Sequence, residues 1–213
     1  MRTLFALGST IIIASVVTAQ SVYELPFASR DNIIELAVEN TGSFQVDQVK
    51  VRIQTRPEWI SFKSDEVTIE QLSGGGEKTA SFVFSIDKAA QIRKDRTLTF
   101  TVSGPNGQSW TKEITISVAA PEKFELFQNY PNPFNPTTTI SYQLKSDSRV
   151  SLRIYNLIGQ EIMTLVDGDK TTGYHQEQWN ASSVASGTYV YRLVTKDQTG
   201  KDFVAQKRMI VLK

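Results

Sequence analysis

The chain contains no cysteine and a single histidine among its 213 residues. Without thiols there is no disulfide framework, no thiolate nucleophile or metal ligand, and no cysteine to carry a lipid anchor. One imidazole, His175, cannot build an ordinary zinc site alone. Its position far along the chain also removes Ser-His-Asp chemistry from the first half. An excess of charge is missing too. Lys and Arg number 23 against 22 Asp and Glu, and the basic residues are scattered without interleaved stacking aromatics. Nucleic acid is therefore excluded as a partner class.

An apolar run long enough to cross a bilayer is also lacking, since a span needs about 20 residues. The stretch 4–17 is shorter, is interrupted by Gly8-Ser9-Thr10, and is followed at once by polar sequence. Preceded by Met1-Arg2-Thr3 and closed by Val17-Thr18-Ala19, residues 1–19 read as a cleavable signal peptide, with cleavage between Ala19 and Gln20. Removal of Arg2 leaves 22 basic and 22 acidic residues.

What is present is strand pattern, in two stretches of similar size, 20–119 and 124–213, joined by a linker at 120–123. In the first, Ile34-Glu35-Leu36-Ala37-Val38-Glu39 alternates and ends at the turn signal Asn40-Thr41-Gly42. Residues 49–54, 67–69, 80–86, 98–102 and 110–118 continue the pattern. Phe82, Phe84 and Ile86 share one face, and Gly104-Pro105-Asn106-Gly107 reads as a hairpin turn. About seven short strands with turns every 8–12 residues indicate an immunoglobulin-like sandwich. Residues 87–93 are too short and charged for more than a turn. The stretch 33–118 resembles small Ig-like modules beside catalytic domains in bacterial surface proteins, through its Glu-Asn-Thr-Gly, Trp59-Ile60 and Gly74-Gly75-Gly76 pieces.

The second stretch opens with Asn129-Tyr130-Pro131-Asn132-Pro133-Phe134-Asn135-Pro136. Three prolines withhold backbone donors, so this segment cannot pair centrally in a sheet, and the asparagines can close local turns. Alternating strands follow at 137–144 and 150–155, then a turn at Leu157-Ile158-Gly159-Gln160 and a returning strand at 161–166. Asp167-Gly168-Asp169 lacks the ligand series of a calcium loop and reads as a hairpin turn. Gly173 to Trp179, then Ser186-Gly187-Thr188-Tyr189 and the basic tail of Lys207, Arg208 and Lys213, complete the set. Gly159 and Gly187 suit turns, Trp179 and Tyr189 suit packing, and the tail lysines suit either an edge strand or a receptor.

Taken in that order and at those spacings, residues 124–213 resemble the type A C-terminal sorting domain of the type IX (Por) secretion system. The resemblance implies a seven- or eight-stranded sandwich and a Bacteroidetes-like source. It also implies export through periplasm and outer membrane, recognition by an outer-membrane translocon, removal by a sortase-like peptidase, and release or attachment to surface lipopolysaccharide. The expected fold is all-β: two antiparallel immunoglobulin-like sandwiches in tandem after a signal peptide. The expected function is a non-enzymatic, cofactor-free structural, adhesive or binding module, secreted or at the cell surface. One alternative is a carbohydrate-binding module using Trp110, Trp59 or Tyr23, with Trp110 the favoured glycan contact. A secreted hydrolase is another, although Asp65 and Glu66, adjacent in a strand, point to opposite faces and cannot flank one bond. A further alternative takes the C-terminal sandwich as an assembly domain like those of flagellar hook-cap scaffolds.

Overall fold

The computed structural model describes the backbone of residues 2–7 and the whole of residues 22–213. The remainder of the expected signal peptide, with the Ala19–Gln20 junction, lies outside the described residues. All regular structure among the described residues is strand, in two compact units, Met1–Ala119 and Ala120–Lys213.

The first unit holds β1 (Arg2–Leu7), β2 (Tyr23–Leu25), β3 (Asn32–Asn40), β4 (Val46–Thr55), β5 (Ile60–Phe62), β6 (Glu66–Leu72), β7 (Glu77–Ile86), β8 (Arg96–Ser103) and β9 (Ser109–Val118). They form two sheets, ordered β1-β3-β7-β5 and β2-β9-β8-β4-β6. Alternation does the work: Ile34, Leu36 and Val38 of β3 and Phe82 and Phe84 of β7 are buried against Val49 and Val51 of β4 and Leu98, Phe100 and Val102 of β8. β2 was not legible in sequence, because three residues ahead of Pro26 carry no periodicity; it lies parallel to the end of β9.

Two turn pieces meet through a buried asparagine. The Asn40 side chain donates to the carbonyls of Phe44 (2.8 Å) and Leu72 (3.0 Å) and accepts from Gly42 N–H (3.0 Å). Gly75 N–H donates to Asn40 O at 2.8 Å. A Cβ at Gly74 would sit 2.4 Å from the Ser43 backbone, so the glycine-rich loop is required by close approach.

The second unit holds β10 (Glu125–Leu126), β11 (Thr137–Leu144), β12 (Ser148–Asn156), β13 (Glu161–Lys170), β14 (Gly173–Asn180), β15 (Gly187–Asp197) and β16 (Asp202–Val211), in sheets ordered β10-β11-β14 and β13-β12-β15-β16. Ile140, Tyr142 and Leu144 pack in one core with Val150, Leu152, Ile154, Tyr191 and Leu193. The expected turn at Asp167–Asp169 is corrected: these residues continue β13, with Val150 opposite Gly168 and Arg149 opposite Asp169. Arg149 and Arg153 both bridge Asp167, at 2.9 and 3.4 Å, so a cross-strand pair holds a local turn signal extended.

Candidate functional site

The proline-rich segment and the C-terminal strand form one structure. β16 ends its sheet, so one row of its backbone groups needs partners. The segment supplies them although three of its residues have no N–H. Phe134 N–H donates to Ile210 O at 3.0 Å, and Leu212 N–H donates to Phe134 O at 2.9 Å. Ile210 N–H donates to the side-chain oxygen of Asn132 at 2.9 Å, and Gln128 Nε2 donates to Arg208 O at 2.8 Å. The Gln128 amide thus supplies a donor of the kind that proline backbone lacks, and the Asn132 side chain supplies an acceptor.

Asn129 organises the inner side of the segment and is only 2% exposed. Its Nδ2 donates to Pro131 O (3.0 Å) and to Thr138 Oγ1 (2.9 Å), and Thr138 Oγ1 donates on to Pro131 O at 2.8 Å. Asn129 N–H donates to the Tyr191 hydroxyl, which donates to Phe127 O, both at 2.9 Å. The local turn was expected from sequence; the bond to a phenol 62 residues away was not.

Phe134 anchors the segment in the core. Its ring meets Trp179 at 5.6 Å, and Trp179 meets Tyr189 at 5.7 Å, both edge-to-face. Ala181 N–H donates to Pro136 O at 2.8 Å, tying the end of the segment to the chain just after β14. Gly173 and Gly187 open β14 and β15, and Gly159 occupies the β12–β13 turn at φ 84°, where its N–H donates to Asn156 O at 3.1 Å. Lys213 Nζ donates to Ser182 O at 3.0 Å, while Lys207 and Arg208 lie on β16, the first half-buried and the second exposed. Pro131, Pro133 and Asn135 are exposed. So is Tyr130, at 82%, together with Leu157 at 68% and Ile158 at 87% on the β12–β13 turn.

Burial pushes the Tyr191 phenol up to about 12, against the Asn129 N–H, which pulls it down. The folded state therefore holds this proton more tightly than the unfolded chain, where tyrosine titrates near about 10. The resulting stability is fully present below about pH 10 and is lost as pH rises through about 12. Tyr191→Phe removes the hydrogen bonds to Phe127 O and from Asn129 N–H and is expected to cost about 1–3 kcal/mol. In urea unfolding, the gap between wild type and Tyr191→Phe is expected to be constant to about pH 10 and to narrow above it. A gap that stays constant through pH 12 would contradict the buried phenol.

The other sequence candidates are not brought together. His175 stacks on Tyr142 at 5.2 Å, and its Nε2 stands 2.7 Å from Thr171 O. Asp65 bridges Arg56, whereas Glu66 bridges Lys50 and Arg52. Trp110 on β9, Trp59 in the turn before β5, and Tyr23 on β2 are half-buried and pack against the first core.

Residues 128–211 match the family described as the secretion system C-terminal sorting domain, the Por secretion tail. The second unit is a type IX sorting domain. No curated protein matches the chain. Among solved structures, dimeric latent PorU from Porphyromonas gingivalis aligns at 18% identity over 92% of this chain, with a TM-score of 0.36. The chain spans 19% of the PorU chain. The CupB2 chaperone of Pseudomonas aeruginosa aligns at 12% identity over 87% of this chain and 96% of that one, with a TM-score of 0.29. The calcium-binding domain CBD12 of CALX1.1 aligns at 10% identity over 86% and 77%, with a TM-score of 0.37. The sorting domain makes the chain a cargo of the type IX machinery, carried through the outer membrane to the cell surface or the medium.

Proposed function

We propose that the first unit is a non-enzymatic structural, adhesive or binding module, and that the sorting domain delivers it by presenting Tyr130, Leu157 and Ile158 to the outer-membrane translocon. One observation carries this reading. The motif residues Asn129, Phe134, Trp179 and Tyr189 are buried and hold the fold together, whereas these three large apolar side chains are left exposed. Arg208 adds an exposed positive charge on β16. Cleavage after Ala19 releases the leader on the inner side, and a sortase-like peptidase cuts within 119–123, where Glu122 and Lys123 are exposed. The freed module is then released or joined to surface lipopolysaccharide.

The test is a reporter placed between residues 1–19 and 120–213 and expressed in a bacterium with a type IX system. The reporter is expected at the surface or in the medium. Tyr130→Ala combined with Ile158→Asp is expected to lower its export at least about tenfold while leaving the Tm of the sorting domain within about 2 °C, as for exposed substitutions. Unchanged export with both substitutions would overturn the receptor surface. Retention of the unsubstituted reporter in the periplasm would overturn its delivery by the sorting domain.

A further inference from the structure

The β3 strand is paired on one side with β7 over eight positions and on the other with β1, in parallel, over six. β1 is residues 2–7, inside the leader that the proposed cleavage removes. Among the described residues of the mature chain, no other strand pairs with this side of β3. Only Gln20, Ser21 and Val22 precede Tyr23, which is already committed to β9 in the other sheet. Three residues reach about 10 Å, half the length of a six-residue strand.

An edge of this kind is usually blunted by lysine, proline, a bulge or shortness. β3 is nine residues long, Asn-Ile-Ile-Glu-Leu-Ala-Val-Glu-Asn, with no lysine, arginine, proline or glycine. Its core-facing residues Ile34, Leu36 and Val38 are buried, so its register against β7 is held from within. Its two charges are both acidic, Glu35 and Glu39. In the β1 pairing, the register position beside Glu35 is occupied by the only charged residue of the leader, Arg2.

We propose that the β3 edge of the mature chain is an acceptor site for an extended strand from a partner protein, apolar in alternate positions and basic at the position beside Glu35. Backbone hydrogen bonds along six positions give the affinity, and the carboxylates select the sequence. A second copy of this chain is a poor occupant. Pairing two β3 strands would gather four carboxylates, Glu35 and Glu39 of each, on one face. The proposal rests on the cleavage reading, and the experiment separates the two.

The experiment uses the chain from Gln20 to Lys213 and, as probe, a capped synthetic peptide with the sequence of residues 2–7, Arg-Thr-Leu-Phe-Ala-Leu. Backbone amide exchange is read residue by residue. The peptide is expected to slow exchange of alternate β3 amides at least about tenfold. The same peptide N-methylated on its pairing edge is expected to do nothing. A peptide with Glu in place of Arg is expected to bind about fivefold more weakly and to recover on the Glu35→Arg chain.

Absence of β3 protection would overturn the acceptor edge. Protection that ignores both charge changes would overturn the basic partner. A dimer whose β3 amides are protected without peptide would replace the partner with a second copy. The N-terminal mass of the exported protein reads the cleavage separately. A chain still beginning at Met1 overturns that reading, whereas failure of the peptide on the Gln20 chain overturns the acceptor edge alone.

Discussion

Replacing Trp179 with alanine is expected to destabilise the sorting domain severely while sparing the first unit. Trp179 is 3% exposed and is the middle ring of the Phe134–Trp179–Tyr189 series. Its removal opens a cavity and frees Phe134, the anchor of the segment that covers the β16 edge. Such truncations cost about 3–5 kcal/mol, a large share of the roughly 5–15 kcal/mol that holds a domain folded. The Tm of the sorting domain is expected to fall by about 15–30 °C. The chain has three tryptophans, two of them, Trp59 and Trp110, in the first unit. Fluorescence of Trp179→Ala therefore reports the first unit alone, and its transition is expected to stay in place while circular dichroism shows an earlier one. Limited proteolysis should leave a resistant fragment from the first unit, and export should fall with the fold. A joint shift of both signals would refute independent cores.

The complementary expectation concerns Phe100→Ala. Phe100 is fully buried between the sheets of the first unit, with its ring 5.4 Å from Phe82 and 6.5 Å, edge-to-face, from Phe62. Phe62 in turn lies 5.4 Å from Phe84. Four rings from β5, β7 and β8 meet in this part of the core. Loss of one is expected to cost about 3–5 kcal/mol. Here the early transition should appear in the fluorescence of Trp59 and Trp110. Proteolysis should leave the sorting domain as the resistant fragment, confirmed by intact mass. The two clusters share no residue, which is why opposite fragments are expected from the two substitutions.

Much of this was legible residue by residue. The alternation in 34–39, 80–86 and 98–102 marks strands because a sheet with one buried face imposes a period of two. The Asn-Tyr-Pro-Asn-Pro-Phe-Asn-Pro string read correctly as a segment excluded from the centre of a sheet, since proline lacks the donor that central pairing needs. Asp167-Gly168-Asp169 misled for a related reason. Its residues favour turns locally, but pairing with β12 and two arginine bridges to Asp167 extend it as strand. β2 escaped notice because three residues carry too little pattern to separate strand from coil.

Local chemistry in the sequence was enough to indicate the all-β class and most of the strands, because periodicity, proline and glycine act over a few residues at a time. Only the tertiary structure decided which motif residues lie inside and which remain available. Asn129 and Tyr130 are neighbours in the chain, yet one is buried beneath a phenol from β15 and the other stands in solvent. The partners that cover the β16 edge lie 76 to 80 residues away in the chain. Such pairings are set by how two sheets and their edges register in space, and a period of two, which assigns a side chain to a face, carries no information about which edge its strand will meet.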